Sequence, residues 1–132
     1  MNPFYPIVAE RAERVCEYCR APEAVFNFSF DVDHVIPTSK GGTNSPENLA
    51  LSCRSCNAYK SAFEVGSTIS GDSRALFNPR LDVWSEHFVL NLDTLEIEGL
   101  TDVGIGSFNR LRLNSPSQLA ARLVWRNKEL LF

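Results

Sequence analysis

Polar and apolar residues alternate along one stretch near the start of the chain. Within 25–33, three phenylalanines and a valine occupy every second position, with asparagine, serine and aspartate between them. A period of two is typical of a strand that buries one face. The pattern therefore predicts a strand over 25–33 that ends at Asp33 and His34. A shorter apolar run predicts a second strand over 49–52.

Helical spacing of apolar residues appears on both sides of these strands. It predicts a short helix over 6–15. A second helix is predicted from about Cys56, with Tyr59 and Phe63 on its inward face. Tyr18 is also predicted to be a core residue. The predicted order is helix, strand, loop, strand, helix.

Two segments lack periodicity and are predicted to be loops. The first is 37–46, where Gly41 and Gly42 permit a positive φ or a close approach of the backbone. The second is 64–75, which is rich in glycine and serine. It is predicted to connect the first block to a second one.

The second block begins at about residue 76. Apolar residues at 88–91 and 95–98 predict a hairpin, and a short helix is predicted over 107–113. Ser115 begins a capping box that predicts a final helix running to about residue 130. The residues predicted to face inward from that helix are Leu119, Leu123 and Leu130.

The composition is that of one globular domain. The chain has 132 residues, of which 44% are hydrophobic, and the elements above make it an α+β protein. No apolar run approaches the roughly 20 residues of a membrane span. No membrane partner is therefore expected. Residues 1–6 lack the features of a signal peptide, which favours a cytoplasmic location.

The net charge of −3 argues against nucleic-acid binding when taken alone. The charges are unevenly placed, however, because 82–102 contains acids without Lys or Arg, whereas 108–132 is basic. Arg112, Arg122 and Arg126 are therefore interpreted either as contacts to a nucleic-acid backbone or as partners of the acidic segment.

The four cysteines form two pairs with two residues between the members of each pair. They are Cys16 with Cys19 and Cys53 with Cys56. In a reducing compartment this spacing indicates metal ligands before disulfides, and four thiolates suit a structural zinc ion. A thiol redox protein is the alternative, and it requires accessible, zinc-free cysteines.

His34 lies between the cysteine pairs and is the candidate catalytic residue. An imidazole with an unperturbed pKa of about 6.5 suits a general base at neutral pH. Asp33 offers a hard oxygen to Mg²⁺ or Mn²⁺, and Asn57 offers a second. Asn48 is placed to orient the His34 imidazole or its backbone. His87, the other histidine, is predicted to make a structural hydrogen bond.

Five sequence elements together carry a family resemblance. They resemble the HNH endonuclease family in its zinc-stapled, four-cysteine form, as an H-N-N variant with Asn57 at the third signature position. The resemblance implies a small ββα-metal, treble-clef-like zinc finger, followed here by a C-terminal β-hairpin and helices. The elements are Cys16-x-x-Cys19, Asp33-His34-x-Ile36-Pro37, Lys40-Gly41-Gly42, Asn48-Leu49 and Cys53-x-x-Cys56-Asn57-x-x-Lys60.

The resemblance also implies an activity, which is metal-dependent hydrolysis of DNA. It makes His34 the general base, Asn48 the residue that orients it, and Asp33 and Asn57 the ligands of a catalytic Mg²⁺ or Mn²⁺. The four cysteines hold structural Zn²⁺. Lys40 and Lys60 are possible phosphate contacts, and no small-molecule cofactor is expected.

The expected organisation is a single domain over 1–132. Its ββα-metal core covers 10–65, and 76–132 is an accessory segment for which no function is predicted. The alternative function is a zinc-finger module that binds nucleic acid or protein without catalysis. Substrate specificity and oligomeric state are not predicted by the sequence.

Overall fold

The computed structural model describes residues 2–68 and 70–131, which separate into two compact units. The N-terminal unit comprises Met1–Glu64 and Asn78–Asp82. The C-terminal unit comprises Val65–Phe77 and Val83–Phe132. Among the described residues, no helix has the length and apolar character needed to cross a membrane.

The N-terminal unit has the predicted order of elements. Its two strands pair antiparallel, with Asp33 opposite Ala50 and His34 opposite Leu49. The second strand has the predicted bounds, and all four of its residues are buried. The elements are helix α1 (Tyr5–Arg11), strand β1 (Asp31–His34), strand β2 (Leu49–Ser52) and helix α2 (Arg54–Lys60).

Strand β1 is shorter than the predicted strand over 25–33. Its partner β2 offers only four residues, so earlier residues have no strand to pair with. Instead, Phe26 packs edge to face with Phe28 and Phe30, at ring-centroid distances of 5.5 and 5.0 Å. The backbone amide of Phe30 donates to the Glu23 carboxylate at 2.8 Å. Side-chain packing and this bond therefore replace the predicted strand.

Both helices of this unit end earlier than the sequence pattern suggests. Helix α1 stops at Arg11, and Glu13 and Arg14 take left-handed φ values of +56° and +58°. Helix α2 ends at Lys60, before Phe63. Tyr59 and Phe63 are 38% and 44% exposed, so their prediction as core residues was wrong. The prediction for Tyr18 is confirmed, since that side chain is buried.

The C-terminal unit consists of two hairpins and three helices around an apolar core. Its core side chains include Phe77, Trp84, Phe88, Ile97, Leu111 and Leu113. Its elements are β3 (Val65–Ser67), β4 (Ser73–Ala75), helix α3 (Trp84–His87), β5 (Phe88–Leu90), β6 (Ile97–Gly99), helix α4 (Asp102–Leu111) and helix α5 (Pro116–Asn127).

Two predictions for this unit were wrong for the same reason. The 64–75 segment, whose Ile69 lies outside the described residues, forms the β3–β4 hairpin instead of a loop. Helix α4 begins at Asp102 and includes two glycines that the sequence pattern treats as breaks. A Cβ on Gly66 would lie 2.0 Å from the carbonyl oxygen of Gly106. Glycine thus serves close backbone packing between elements distant in sequence.

The β5–β6 hairpin is confirmed. The capping box of helix α5 is also confirmed, since the Ser115 hydroxyl accepts from the Gln118 amide.

The predicted buried face of α5 was wrong. Leu123 and Leu130 are exposed, Leu119 is half-buried, and the buried residues are Gln118, Arg122 and Trp125. Arg122 donates to the carbonyl oxygen of Leu95 at 3.0 Å and to that of Leu113. These hydrogen bonds to backbone carbonyl oxygens compensate for burial of the Arg122 guanidinium.

Candidate active site and metal centre

The four cysteine thiols converge in the N-terminal unit. All four side chains are buried, none forms a disulfide, and their sulfur atoms lie within 4.8 Å of one another. The Sγ atoms of Cys19 and Cys53 are 3.6 Å apart. Tetrahedral zinc with Zn–S bonds of about 2.3 Å places its sulfur ligands about 3.8 Å apart. The cluster therefore fits a structural zinc ion.

The two cysteine pairs have matching local geometry. The amide of Cys19 donates to Cys16 Sγ at 3.5 Å, and the amide of Cys56 donates to Cys53 Sγ at 3.4 Å. Cys53 also caps the N-terminus of helix α2. The first pair is tied to strand β2, because Glu17 exchanges backbone and side-chain hydrogen bonds with Leu51. One centre thus joins the first pair, β2 and α2.

Burial and hydrogen bonds among the four thiols shift their pKa values in different directions. Hydrogen bonds from neighbouring thiols, together with burial, raise the pKa of Cys19 and Cys56 well above the usual value. Burial also opposes ionisation of Cys16, but hydrogen bonds from the other three thiols outweigh it and lower its pKa. Four buried thiolates at this separation need a cation among them. Because the thiols are buried, they are also out of reach of a redox partner.

His34 lies at the end of strand β1, beside a cleft of about 360 Å³ that Asn57 also lines. Its Nε2 is 2.7 Å from Asn44 Oδ1. Since that amide oxygen can only accept, Nε2 carries the proton in the neutral ring, an assignment that follows from the hydrogen bond. Within the described residues, Nδ1 has no partner. The ring is thus held by one nitrogen and open at the other.

Asn44 is a site residue that sequence reasoning missed. It lies in the predicted loop, ten positions after His34, and nothing in the local pattern distinguishes it from a turn-forming residue. The signal for it is the loop geometry itself, which only the structure shows.

Asn48 contacts the backbone after His34 rather than its ring. Its amide accepts from Ile36 N at 2.8 Å and donates to the carbonyl oxygens of Ile36 and Thr43 at 3.0 and 2.9 Å. Gly42 fits beneath it, because a Cβ there would lie 2.9 Å from the Asn48 amide nitrogen. Asn48 therefore fixes the backbone at Ile36, just before the loop, and at Thr43, next to Asn44.

Asp33 is buried, and both of its carboxylate oxygens contact protein donors. Its Oδ2 accepts from the Tyr18 hydroxyl at 2.6 Å, and Lys60 Nζ lies 3.3 Å from each carboxylate oxygen. Burial raises its pKa, and the ion pair with Lys60 and the Tyr18 hydrogen bond offset part of that rise. The sequence predicts Asp33 as a metal ligand, whereas its oxygens are held here by protein donors.

Lys60 is equally enclosed. Its side chain is 2% exposed, and its ammonium also donates to the His34 carbonyl oxygen at 2.9 Å. In this arrangement Lys60 is out of reach of a phosphate. Lys40 is open to solvent and forms a surface ion pair with Glu64 at 3.5 Å.

Asn57 lies on helix α2, and the carboxylate that it contacts is that of Asp31. Its Nδ2 lies 3.2 Å from Asp31 Oδ2. Asp31 and Asn57 line a second cleft, of about 470 Å³, together with Arg54. The Arg54 guanidinium stacks over the Phe28 ring at 3.9 Å. Sequence reasoning did not name Asp31 as a site residue, although strand alternation places it on the same face as Asp33.

The remaining predicted positions lie in the C-terminal unit. His87 makes the predicted structural hydrogen bond, with Nδ1 2.6 Å from the Thr101 hydroxyl. Arg122 is fully buried, which removes it from any surface that contacts DNA. Arg112 lines a small cleft of about 250 Å³, and Arg126 donates to the Leu92 carbonyl oxygen at 3.4 Å.

Comparison with known proteins agrees with the site. The family described as HNH endonuclease matches residues 16–63, which span both cysteine pairs, strands β1 and β2, and helix α2. No curated protein and no solved structure matches the chain. Residues 16–63 are therefore similar to the HNH endonuclease family, and the four clustered cysteines fit its zinc-binding type.

Proposed function

We propose that the N-terminal unit is a metal-dependent endonuclease that hydrolyses DNA phosphodiester bonds, with His34 as its general base. The observation that carries the proposal is the state of the His34 ring. Asn44 holds Nε2, and among the residues that the structure describes Nδ1 has no partner. His34 lies beside a cleft that Asn57 also lines. The family match at 16–63 supports the nuclease class.

The proposed chemistry begins with a proton transfer. Nδ1 of His34 accepts a proton from the attacking water, while the Nε2–H bond to Asn44 keeps the ring oriented and favours the imidazolium that forms. Asn48 acts as a positioning residue, because it fixes the loop that presents Asn44. A base held in this way avoids reorientation during the reaction.

The cleft offers oxygen ligands to a divalent ion. Asn57 would supply an amide oxygen and Asp33 a carboxylate oxygen, and Mg²⁺ commonly takes one or two such groups and keeps several waters. When bound, Mg²⁺ or Mn²⁺ supplies the positive charge that stabilises the transition state of phosphodiester hydrolysis. The exposed ammonium of Lys40 is placed to contact DNA phosphate, since its surface pair with Glu64 holds it only weakly.

The decisive experiment is cleavage of supercoiled plasmid and of single-stranded, duplex and branched DNA by zinc-loaded protein with Mg²⁺ or Mn²⁺. His34→Ala should abolish cleavage. Asn44→Ala should reduce the rate by about 10-fold to 100-fold, because only the orientation of the base is lost.

Asn27→Ala is the matched control, since Asn27 is exposed in the same unit. It should cut like wild type. Equal cleavage by wild type and His34→Ala would remove His34 from the mechanism. Absence of cleavage with every divalent ion would reject the nuclease assignment.

A zinc-finger module that only binds is the second candidate. The observation that favours it is the engagement of Asp33 by Lys60 and Tyr18, which withdraws one expected ligand from the cleft. This function requires nucleic-acid or protein binding that is independent of Mg²⁺ and unchanged in His34→Ala. Binding assays on the variants above separate the two functions.

A further inference from the structure

We infer that Arg54 binds a phosphate of the DNA substrate, and that the ring of Phe28 holds its guanidinium in position for that contact. The phosphate is one that flanks the bond to be cut. The inference rests on the proposed function, because it adds a substrate contact beside the same site. Sequence reasoning named neither Arg54 nor Phe28 as a site residue.

The first argument is that Arg54 is exposed and not neutralised by the protein. Among the residues that the structure describes, its guanidinium forms no ion pair and no hydrogen bond, and its contact is the stacking over Phe28. Three other arginines of the N-terminal unit already donate to protein oxygens. They are Arg11 with the carbonyls of Pro46 and Leu49, Arg14 with Glu23, and Arg80 with Glu17.

The second argument is the geometry of the stacking. The guanidinium carbon of Arg54 lies 3.9 Å from the centroid of the Phe28 ring. Stacking uses the face of the planar guanidinium, whereas its N–H groups lie in the plane and point outward at the edge. Those donors therefore remain available for a bidentate contact to phosphate oxygens.

The Phe28 ring is itself fixed by the core of the unit. It packs edge to face with Phe26 at 5.5 Å, and Phe26 packs in the same way with the buried Phe30 at 5.0 Å. The guanidinium thus rests on a chain of rings that ends in the interior. A long side chain held in this way loses less conformational freedom on binding than a mobile one.

The third argument is the position of Arg54 relative to His34. Arg54 lines the 470 Å³ cleft, which adjoins the cleft beside His34, since Val32 and Asn57 line both. Strand residues rise about 3.3 Å each, so Asp31 in the first cleft lies about 10 Å along β1 from His34. A DNA strand carries one phosphate about every 3.4 Å of its axis. A strand that is cut at His34 therefore has other phosphates within reach of Arg54.

The remaining polar groups of the cleft determine where the phosphate binds. Asp31 is half-buried, and its Oδ2 lies 3.2 Å from the Asn57 amide nitrogen. Its negative charge disfavours an anion beside it, whereas Arg54 is exposed, so the phosphate approaches the guanidinium from solvent. Binding at an exposed cation gains its free energy mainly from release of counterions, and it therefore depends on salt.

The test is binding of labelled single-stranded and duplex DNA to zinc-loaded, full-length His34→Ala protein without Mg²⁺, followed by fluorescence anisotropy over a range of salt concentrations. The His34→Ala parent binds DNA without cutting it. Arg54→Met keeps the aliphatic stem and removes the charge. In the parent background it should weaken binding by about fivefold to tenfold near 0.1 M salt. It should also reduce the slope of log affinity against log salt by about one.

Three further variants show whether the effect belongs to the stacked guanidinium. Lys128→Met removes one positive charge at an exposed position of the C-terminal unit, and it should bind DNA like the parent. Arg54→Lys returns the charge without the planar fork, so it should restore the slope and only part of the affinity. Phe28→Leu removes the stacking and should weaken binding by about twofold to fivefold with the slope unchanged. Both Arg54 variants should keep the melting temperature and zinc content of the parent.

The outcomes separate this inference from the proposed function. Parent affinity and slope in Arg54→Met overturn the inference, as does a slope that Arg54→Lys fails to restore, an equal loss in Lys128→Met, or no DNA binding by the parent. If the parent binds DNA through Arg54 but wild type cuts none with any divalent ion, the inference stands and the nuclease assignment fails. If Arg54→Met binds like the parent and wild type cuts DNA, the nuclease assignment stands alone.

Discussion

The interiors of the two units of this chain are stabilised by different kinds of interaction. In the N-terminal unit the buried centre is four cysteine thiols, and beside it lies a polar group formed by Tyr18, Asp33 and Lys60. In the C-terminal unit the centre is apolar, with Phe77 and Phe88 in edge-to-face contact and Trp84 beside Phe88. We therefore expect the stability of the first unit to depend on a metal ion and that of the second on hydrophobic burial.

The tryptophan and tyrosine residues divide cleanly between the units. Both tryptophans, Trp84 and Trp125, lie in the C-terminal unit, and all three tyrosines, Tyr5, Tyr18 and Tyr59, lie in the N-terminal unit. Tryptophan and tyrosine signals can thus report separately on the two modes of stabilisation.

Removal of zinc should have the largest effect. Chelation, or the variant Cys53→Ser, should unfold the N-terminal unit, because zinc binding to such a site contributes on the order of 10 kcal/mol or more. The C-terminal unit should stay folded. The measurements are one zinc per chain before chelation, loss of the near-ultraviolet tyrosine signal after it, and unchanged tryptophan fluorescence.

Restoring zinc is the control for this experiment, and it should return the tyrosine signal. An N-terminal unit that stays folded without metal would show that its apolar residues suffice. A simultaneous change in tryptophan fluorescence would show that the C-terminal unit also depends on zinc.

Truncation of an apolar side chain should affect the other unit. Phe88→Ala removes a buried ring and should lower the stability of the C-terminal unit by about 3–5 kcal/mol. Zinc content and the tyrosine signal should not change. Val89→Ala is the matched control, because Val89 is the next residue of β5 and is exposed. Equal effects of the two variants on tryptophan-monitored unfolding would contradict an apolar core at Phe88.

What could be predicted from the sequence is whatever depends on neighbours along the chain. The cysteine spacing, strand β2 and the Ser115 cap are local signals, and the structure agrees with each. Gly41 has a φ of +89° and Gly42 packs against a backbone carbonyl, so each glycine uses one of the two freedoms predicted for the pair.

What the sequence could not provide depends on distant partners. The length of β1 is limited by the four residues of β2, and helix α4 includes Gly106 because Gly66 lies against it. The engagement of Asp33 follows the same rule, since its partners are 15 and 27 positions away. A sequence motif specifies residue types at fixed positions, but it does not predict which carboxylate forms the ion pair with a buried lysine.

The buried lysine gives the last and smallest prediction. Lys60→Met leaves the Asp33 carboxylate buried without its cation, and it should destabilise the N-terminal unit at neutral pH by about 3 kcal/mol. Burial already raises the pKa of Asp33, and the Lys60 charge lowers it. Loss of the Lys60 charge in the variant therefore raises the pKa of Asp33 further. A carboxyl with a raised pKa in the folded state destabilises the fold when ionised and ceases to do so once protonated.

The stability difference between Lys60→Met and wild type should therefore narrow as the pH falls from the neutral range towards the raised pKa of Asp33. Measuring the difference at each pH removes the effect of acid on the zinc thiolates, which both proteins share. Lys40→Met is the matched control, because Lys40 forms only a surface pair, and it should change stability by less than about 0.5 kcal/mol. A Lys60→Met difference that is small, or that does not vary with pH, would show that Asp33 is not held by Lys60, and the carboxylate would again be available to a metal ion.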